Sequence, residues 1–310
     1  GLVLAGHTDT VPFDDNSWQS DPFRLTEKDD RFYGLGTADM KSFFALVIEA
    51  IRELDLSGLQ QPLIILATAD EETSMSGARA ISAGQLQGGR FALIGEPTGL
   101  RPVRMHKGMM MEAIRLSGLS GHSSDPALGN SALEAMHTVM SELLKWRTEL
   151  QAAYNNPLFA IPVPTMNLGH IHGGDNPNRI CGHCELQIDI RPLPGMHLAD
   201  LRNELEQRLQ TSLAGSAISY ETEALFEGVD AVETAADSAM VQTVEMLTGS
   251  TAEAVAFSTE APFYNALGMD TVVLGPGHIS QAHQPNEYLE TAQIDPGVDL
   301  IKKLIARFCL

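Results

Sequence analysis

The chain has 310 residues, 44% of them hydrophobic and 19% charged, with a formal net charge of −20. The composition is that of an ordinary globular protein, and the length favours two domains over a single core. So acidic a chain is repelled by phosphate backbones and anionic lipid, which argues against nucleic acid or a membrane surface as partner.

Three cysteines, Cys181, Cys184 and Cys309, make no disulfide framework and fit a reducing, cytoplasmic compartment. No apolar run reaches membrane-spanning length and no signal peptide is visible. The chain starts without Met inside a strand-like run, and so reads as a fragment lacking its amino-terminal part.

The apolar run LVLA (2–5) predicts a strand buried on both faces, stopped by Gly6. His7-Thr8-Asp9 follows at its carboxyl end, where open α/β sheets bind ligands. Residues 13–30 read as a long surface loop, 31–34 as a short extended piece, and 42–54 as an amphipathic helix with Asp39 at its mouth. Residues 63–69 predict a second buried strand ending at Asp70-Glu71-Glu72, 77–83 a helix, and 91–94 a third strand ending at Gly95-Glu96. Strands alternating with helices argue for a parallel or mixed sheet.

From about Met105 the pattern changes. Strands are expected at 108–117, 165–171, 185–190 and 218–225, and helices at 131–150 and 198–213. That β-α-β-β-α-β order is the ferredoxin-like one. A helix at 237–247, strands at 251–257 and 270–274, a loop at 275–286 and a closing helix at 296–308 complete the chain. The fold class expected is α/β with a mixed or parallel sheet, split by an inserted ferredoxin-like α+β domain: residues 1–105 and 228–310 form one domain and 106–227 the other.

Acidic and imidazole side chains recur where strands end or helices begin: His7 with Asp9, Asp39, Glu71 with Glu72, Glu96, and His283. Singly, each reads as solvated surface. Together they put carboxylates on one sheet edge that would repel unless cations held them. Two imidazoles with Asp and Glu, and no thiolate, suit Zn²⁺, Co²⁺ or Mn²⁺. Five such residues can hold two ions if one carboxylate bridges. Glu71 and Glu72 are neighbours, so one can bind metal while the other takes a proton from a bound water. The CxxC at Cys181 and Cys184 lacks a second pair and reads as packing, and Met109-Met110-Met111 as strand core.

In this order GHTDTVP, GTADMK, DEET, IGEPT and AHQPNEY resemble the M20 metallopeptidases, a family of co-catalytic zinc amidohydrolases. The resemblance implies His7 and Glu96 on one metal, Glu72 and His283 on the other, Asp39 bridging both, Glu71 as general base and Asp9 behind His7. It also implies a non-proline cis peptide at Asp39–Met40. Residues 106–227 correspond to the family's lid and dimerisation domain. His122, in Gly121-His122-Ser123, corresponds to a lid histidine that steadies the oxyanion in a partner subunit's site. Asn178 and Arg191 match substrate-gripping lid residues, Arg191 suiting an α-carboxylate.

Residues 167–175, 189–195 and 258–261 resemble the subgroup that deacetylates N²-acetyl-L-ornithine in arginine biosynthesis, with Glu260 expected near a pocket for a cationic side chain. The function expected is therefore amide hydrolysis of an N-acyl amino acid by a homodimer. The rivals are a succinyl-diaminopimelate desuccinylase, an aminoacylase, a dipeptidase, a non-catalytic metal-binding dimer module, and an inactive truncation product.

Overall fold

The computed structural model describes residues 1–13 and 17–310. Its elements, in chain order, begin with β1 (Leu2–His7), β2 (Thr26–Lys28), β3 (Arg31–Tyr33), α1 (Lys41–Arg52), β4 (Leu63–Thr68), α2 (Ser76–Arg79), β5 (Phe91–Pro97) and β6 (Val103–His106). Then come β7 (Met110–Ser117), α3 (Ala132–Ala153), β8 (Thr165–Gly173), β9 (His183–Arg191), α4 (Leu198–Ser212) and β10 (Ser219–Ala224). The last are β11 (Val232–Glu233), α5 (Ala239–Thr248), β12 (Glu253–Val255), α6 (Ala261–Ala266), β13 (Asp270–Gly275), β14 (Tyr288–Glu290) and α7 (Ile294–Phe308).

The chain divides into two compact units: Gly1–Met105 with Val232–Val255 and Thr259–Leu310, and His106–Ala231 with Ala256–Ser258. Re-entry into the first falls at Val232, because Val229 still exchanges backbone hydrogen bonds with Met109 of the second.

The first unit is built on a sheet ordered β11-β6-β13-β5-β1-β4, with β12 pairing β6. β13, β5, β1 and β4 run parallel, and β6 is antiparallel to β13. Alternation along the central strands feeds two cores. Leu2, Leu4, Leu93, Val272 and Leu274 join Phe43, Leu46, Val47 and Ala50 of α1 and the inner residues of α5 and α7. Val3, Ala5, Ala92, Ile94 and Val273 face Ala261, Tyr264 and Met269 on the other side. The four α1 residues fall at i, i+3, i+4 and i+7, one stripe of a helix.

Because β1 is covered on both faces, its residues 2–5 are all apolar. The strand expected at 63–69 differs from expectation. β4 is the edge of the sheet, pairs with β1 alone among the described residues, and leaves Ile65 47% exposed. A buried strand and an edge strand of this length have the same apolar run, and only pairing order separates them.

Two other expectations shift. The helix at 77–83 is cut to α2, because Ser82 and Gln85 close a capping box that starts a separate 3₁₀ turn. Of the loop expected at 13–30, residues 14–16 lie outside the described residues, and Thr26–Lys28 is a strand in a small sheet ordered β14-β3-β2.

In the second unit four antiparallel strands run in the order β10-β7-β9-β8. With α3 and α4 between them in sequence, this is the ferredoxin-like arrangement. Ser131 caps α3 by accepting from the Glu134 N–H at 3.3 Å. The α3 face Met136, Val139, Leu143, Trp146 and Leu150 is buried. No helix among the described residues is long and apolar enough to cross a membrane.

Candidate metal centre and active site

Three neighbouring parallel strands deliver side chains to one edge of the first unit's sheet. His7 ends β1, Glu96 stands next to last in β5, and Glu71 and Glu72 follow β4. Asp39 lies just before α1, joined to Met40 by a cis peptide bond, and His283 lies in the loop between β13 and β14. Glycines make the approach possible at two points. A Cβ on Gly6 would fall 2.0 Å from the Met40 Cε, and one on Gly95 would fall 1.9 Å from the Phe43 Cγ. Both glycines immediately precede a candidate ligand.

Asp39 is the centre of the cluster. Its Oδ1 lies 3.0 Å from the His7 Nε2 and its Oδ2 lies 3.4 Å from the His283 Nε2. The same His7 nitrogen is 3.8 Å from the Glu96 Oε1, and the His283 nitrogen is 3.0 Å from the Glu72 Oε2. Behind His7, Nδ1 pairs with the Asp9 backbone carbonyl at 3.1 Å and lies 3.5 Å from its carboxylate, which also accepts the Glu72 N–H at 3.2 Å. Candidate ligand atoms lie within 4.8 Å of one another in three sets: His7, Asp39 and Glu96; Asp39, Glu72 and His283; His7, Glu71 and Glu72.

The electrostatics follow from burying so many anions. Burial pushes the Glu71 carboxyl up to about 8, helped by Glu72, Glu260 and Asp39 and opposed by His7. Burial also drives Glu96 well above the usual carboxylate range, with Asp39 adding to it. Burial would likewise raise Asp39, but its hydrogen bonds to His283 and His7 hold it far below. For His7, burial favours the neutral ring, yet the bond to Asp39 and the charges of Glu71 and Glu72 lift it to about 9. His283 rises to about 10 through its bonds to Asp39 and Glu72.

Without metal, then, protons on the two imidazoles hold the carboxylates together. Divalent cations fit the same place, because they supply that positive charge where His and carboxylate donors already converge.

Glu260 belongs to this unit and is fully buried, with the hydroxyls of Thr68 and Tyr264 as neighbours. It presents no surface of its own to a ligand.

His122, Asn178 and Arg191 are in the second unit. His122 is exposed, its Nδ1 facing the Ser124 hydroxyl at 2.7 Å, and the Asn178 carbonyl accepts the Ser123 N–H at 3.0 Å. These two are brought together. Arg191 is at the opposite end of β9, its Nε held by Asp189 at 2.9 Å. Cys181 and Cys184 are buried free thiols.

One participant escaped the sequence reading. Glu287 is 3% exposed and accepts backbone N–H groups from the segment that carries Asp39. Nothing in AHQPNEY marks its single acid as buried.

The family model for peptidase family M20/M25/M40 matches residues 3–307. Acetylornithine deacetylase of Proteus mirabilis (strain HI4320) is 53% identical over 310 residues, covering 100% of this chain and 80% of the relative. That of Edwardsiella ictaluri (strain 93-146) is 54% identical over 309 residues, with the same coverage. Among solved structures, aminopeptidase PepT from Bacillus cereus ATCC 10987 superposes with a TM-score of 0.77 at 19% identity, covering 99% of this chain and 80% of that one. The Bacillus subtilis YXEP protein, described as a dinuclear metal-binding peptidase, gives 0.70 at 13% identity, covering 98% and 81%. At those identities the likeness is one of fold. Matched over nearly its whole length by the family model, and by relatives more than half identical to it, the chain belongs to peptidase family M20/M25/M40.

Proposed function

We propose that this protein is a co-catalytic metal-dependent amidohydrolase that cleaves N²-acetyl-L-ornithine to L-ornithine and acetate. It would serve arginine biosynthesis in the cytoplasm as a homodimer. The observation that carries the chemistry is Asp39, which turns one carboxylate oxygen to each of two imidazoles beside the half-buried Glu71. The identity to acetylornithine deacetylases supports the choice of substrate.

In this reading His7 and Glu96 would hold one divalent ion, Glu72 and His283 would hold the other, and Asp39 would serve both; Zn²⁺ is the ion proposed, with Co²⁺ or Mn²⁺ able to replace it. Bound there, the ions would supply Lewis-acid polarisation of the acyl carbonyl and of a water.

The chain's own residues do the rest. Glu71, which lies beside His7 and Glu72, takes the water proton and returns it to the leaving amine nitrogen. Asp9 fixes the His7 ring from behind, as ligating histidines require. His122 of a second copy is assigned to the oxyanion, and Asn178 and Arg191 to the substrate. Glu260, enclosed beside Thr68 and Tyr264, is assigned to the neighbourhood of the pocket for the cationic side chain.

The test is acyl release by the purified chain loaded with Zn²⁺ or Co²⁺. N²-acetylornithine is compared with N-succinyl-diaminopimelate, a neutral N-acetyl amino acid and a dipeptide. Selective release of acetate from the ornithine substrate is expected. Preference for another substrate would keep the chemistry and move the specificity. Cleavage of none, with metal bound, would overturn catalysis in favour of a metal-binding module.

A further inference from the structure

We propose that Glu287 is a positioning residue for Asp39: its carboxylate clamps the backbone of residues 36–39 and so sets the carboxylate shared by the two metal positions. The inference rests on the reading of Asp39 as the shared ligand.

The clamp is made by three hydrogen bonds. Glu287 Oε1 accepts the N–H of Ala38 at 2.7 Å and of Asp39 at 2.8 Å, and Oε2 accepts that of Gly36 at 2.9 Å. Thr37, between them, is served by the Gly34 carbonyl, and Lys41 by that of Gly36. One side chain therefore satisfies the other three backbone donors of residues 36–39. Ala38 is fully buried and Asp39 nearly so, which leaves water little access to those donors. A carboxylate accepting several N–H groups forms short, charge-assisted and strongly directional bonds.

Glu287 is itself fixed. Its carbonyl accepts the Gly34 N–H at 3.1 Å, and its neighbour Tyr288 pairs with Tyr33 across β14 and β3. His283 lies four residues before it in the same loop. The clamp thus ties the segment bearing one imidazole to the segment bearing the bridging carboxylate, and sets the 3.4 Å between the His283 Nε2 and the Asp39 Oδ2. Glutamine cannot replace this carboxylate, because its amide keeps one acceptor oxygen and turns an NH₂ toward the remaining donors.

The experiment is Co²⁺ titration of the full chain, stripped of metal, followed by isothermal calorimetry and by the visible absorption of bound Co²⁺. Wild type, Glu287→Gln and Asp39→Asn are compared, each first matched to the wild-type fold by circular dichroism. For Glu287→Gln the expected result is a loss of about tenfold to a hundredfold in Co²⁺ affinity, the usual effect of removing a group that orients a ligand. An altered spectrum at saturation is expected with it, and in turnover a lower kcat at nearly unchanged KM.

Wild-type affinity and spectrum in Glu287→Gln, with Asp39→Asn weakened, would overturn the clamp and leave the metal reading standing. A lower melting temperature with unchanged spectrum and affinity would overturn it equally, since that is all a purely structural contact does. Wild-type binding by Asp39→Asn would overturn the shared-ligand reading and the inference with it. If Glu287→Gln does not fold, Glu287→Asp decides. It keeps the charge but falls one methylene short, so several-fold weaker binding upholds the clamp and wild-type binding overturns it.

Discussion

Glu71, the proposed base, illustrates how surroundings shift an ordinary carboxyl. It is half-buried, and in the metal-free fold desolvation, with the charges of Glu72, Glu260 and Asp39, pushes its carboxyl up to about 8, so it holds a proton far more readily than an ordinary glutamate. Replacing it by Gln removes the proton acceptor while preserving shape. Turnover should fall by roughly 10²–10⁴, the typical contribution of a general base, with metal content unchanged by elemental analysis.

The same cluster sets a pH dependence. His7 and His283 rise from 6.5 to about 9 and about 10 in the metal-free fold. The stability they add is fully present below about pH 6.5 and is lost as pH climbs through those values. Glu71, raised from 4.5 to about 8, acts with the same sign over a lower window. Metal-free protein should therefore melt at progressively lower temperature from about pH 6.5 to 10. Added Zn²⁺ should restore more stability as pH rises, because binding must displace those protons. Thermal unfolding with and without chelator measures both trends, and a flat metal-free profile would count against the clustered imidazoles.

Among the elements, the contact of β1 and β5 with α1 decides how closely ligands can assemble. Gly95 precedes Glu96, and the Phe43 ring of α1 occupies the space a side chain there would need. Gly95→Ala should cost about 1–3 kcal/mol by chemical denaturation, as overpacking of a tight core does, and Phe43→Leu should recover part of it.

Helix periodicity and strand alternation made most elements legible, with α1 and the strands of the second unit close to their expected bounds. β2, β6, β11, β14 and α6 were not legible, because two to six residues carry too little pattern to stand out from a loop. The exposure of β4 was hidden for another reason: an edge is a property of the sheet, not of the strand.

For the whole molecule, the assignment of His122 to a second copy's site makes a prediction that single-chain behaviour cannot imitate. Glu71→Gln and His122→Ala should each be nearly inactive alone. Mixed and allowed to exchange subunits, they should regain roughly a quarter of wild-type activity, because half the two-fold dimers are then mixed and each has one intact site. Acetate release after mixing reads this out. No recovery, with exchange shown by native mass spectrometry, would place His122 in its own chain's site or outside catalysis.

The longer strands and helices and the mixed α/β fold with its ferredoxin-like insert were contained in the sequence, as was the expectation that acidic and imidazole residues gather where strands end. A parallel strand announces itself by its apolar run, and ligands gather where such strands end. What only the tertiary structure decided was pairing at long range. His7 meets Asp39 across 32 residues, and Glu287 reaches the same aspartate across 248. No local pattern says which oxygen faces which imidazole, that Glu260 is enclosed behind Thr68 and Tyr264, or that a glutamate in a polar loop is buried. Those facts arise when β14 closes on β3 and β1 lies between β4 and β5, because only then do side chains distant in the chain share one low-dielectric space.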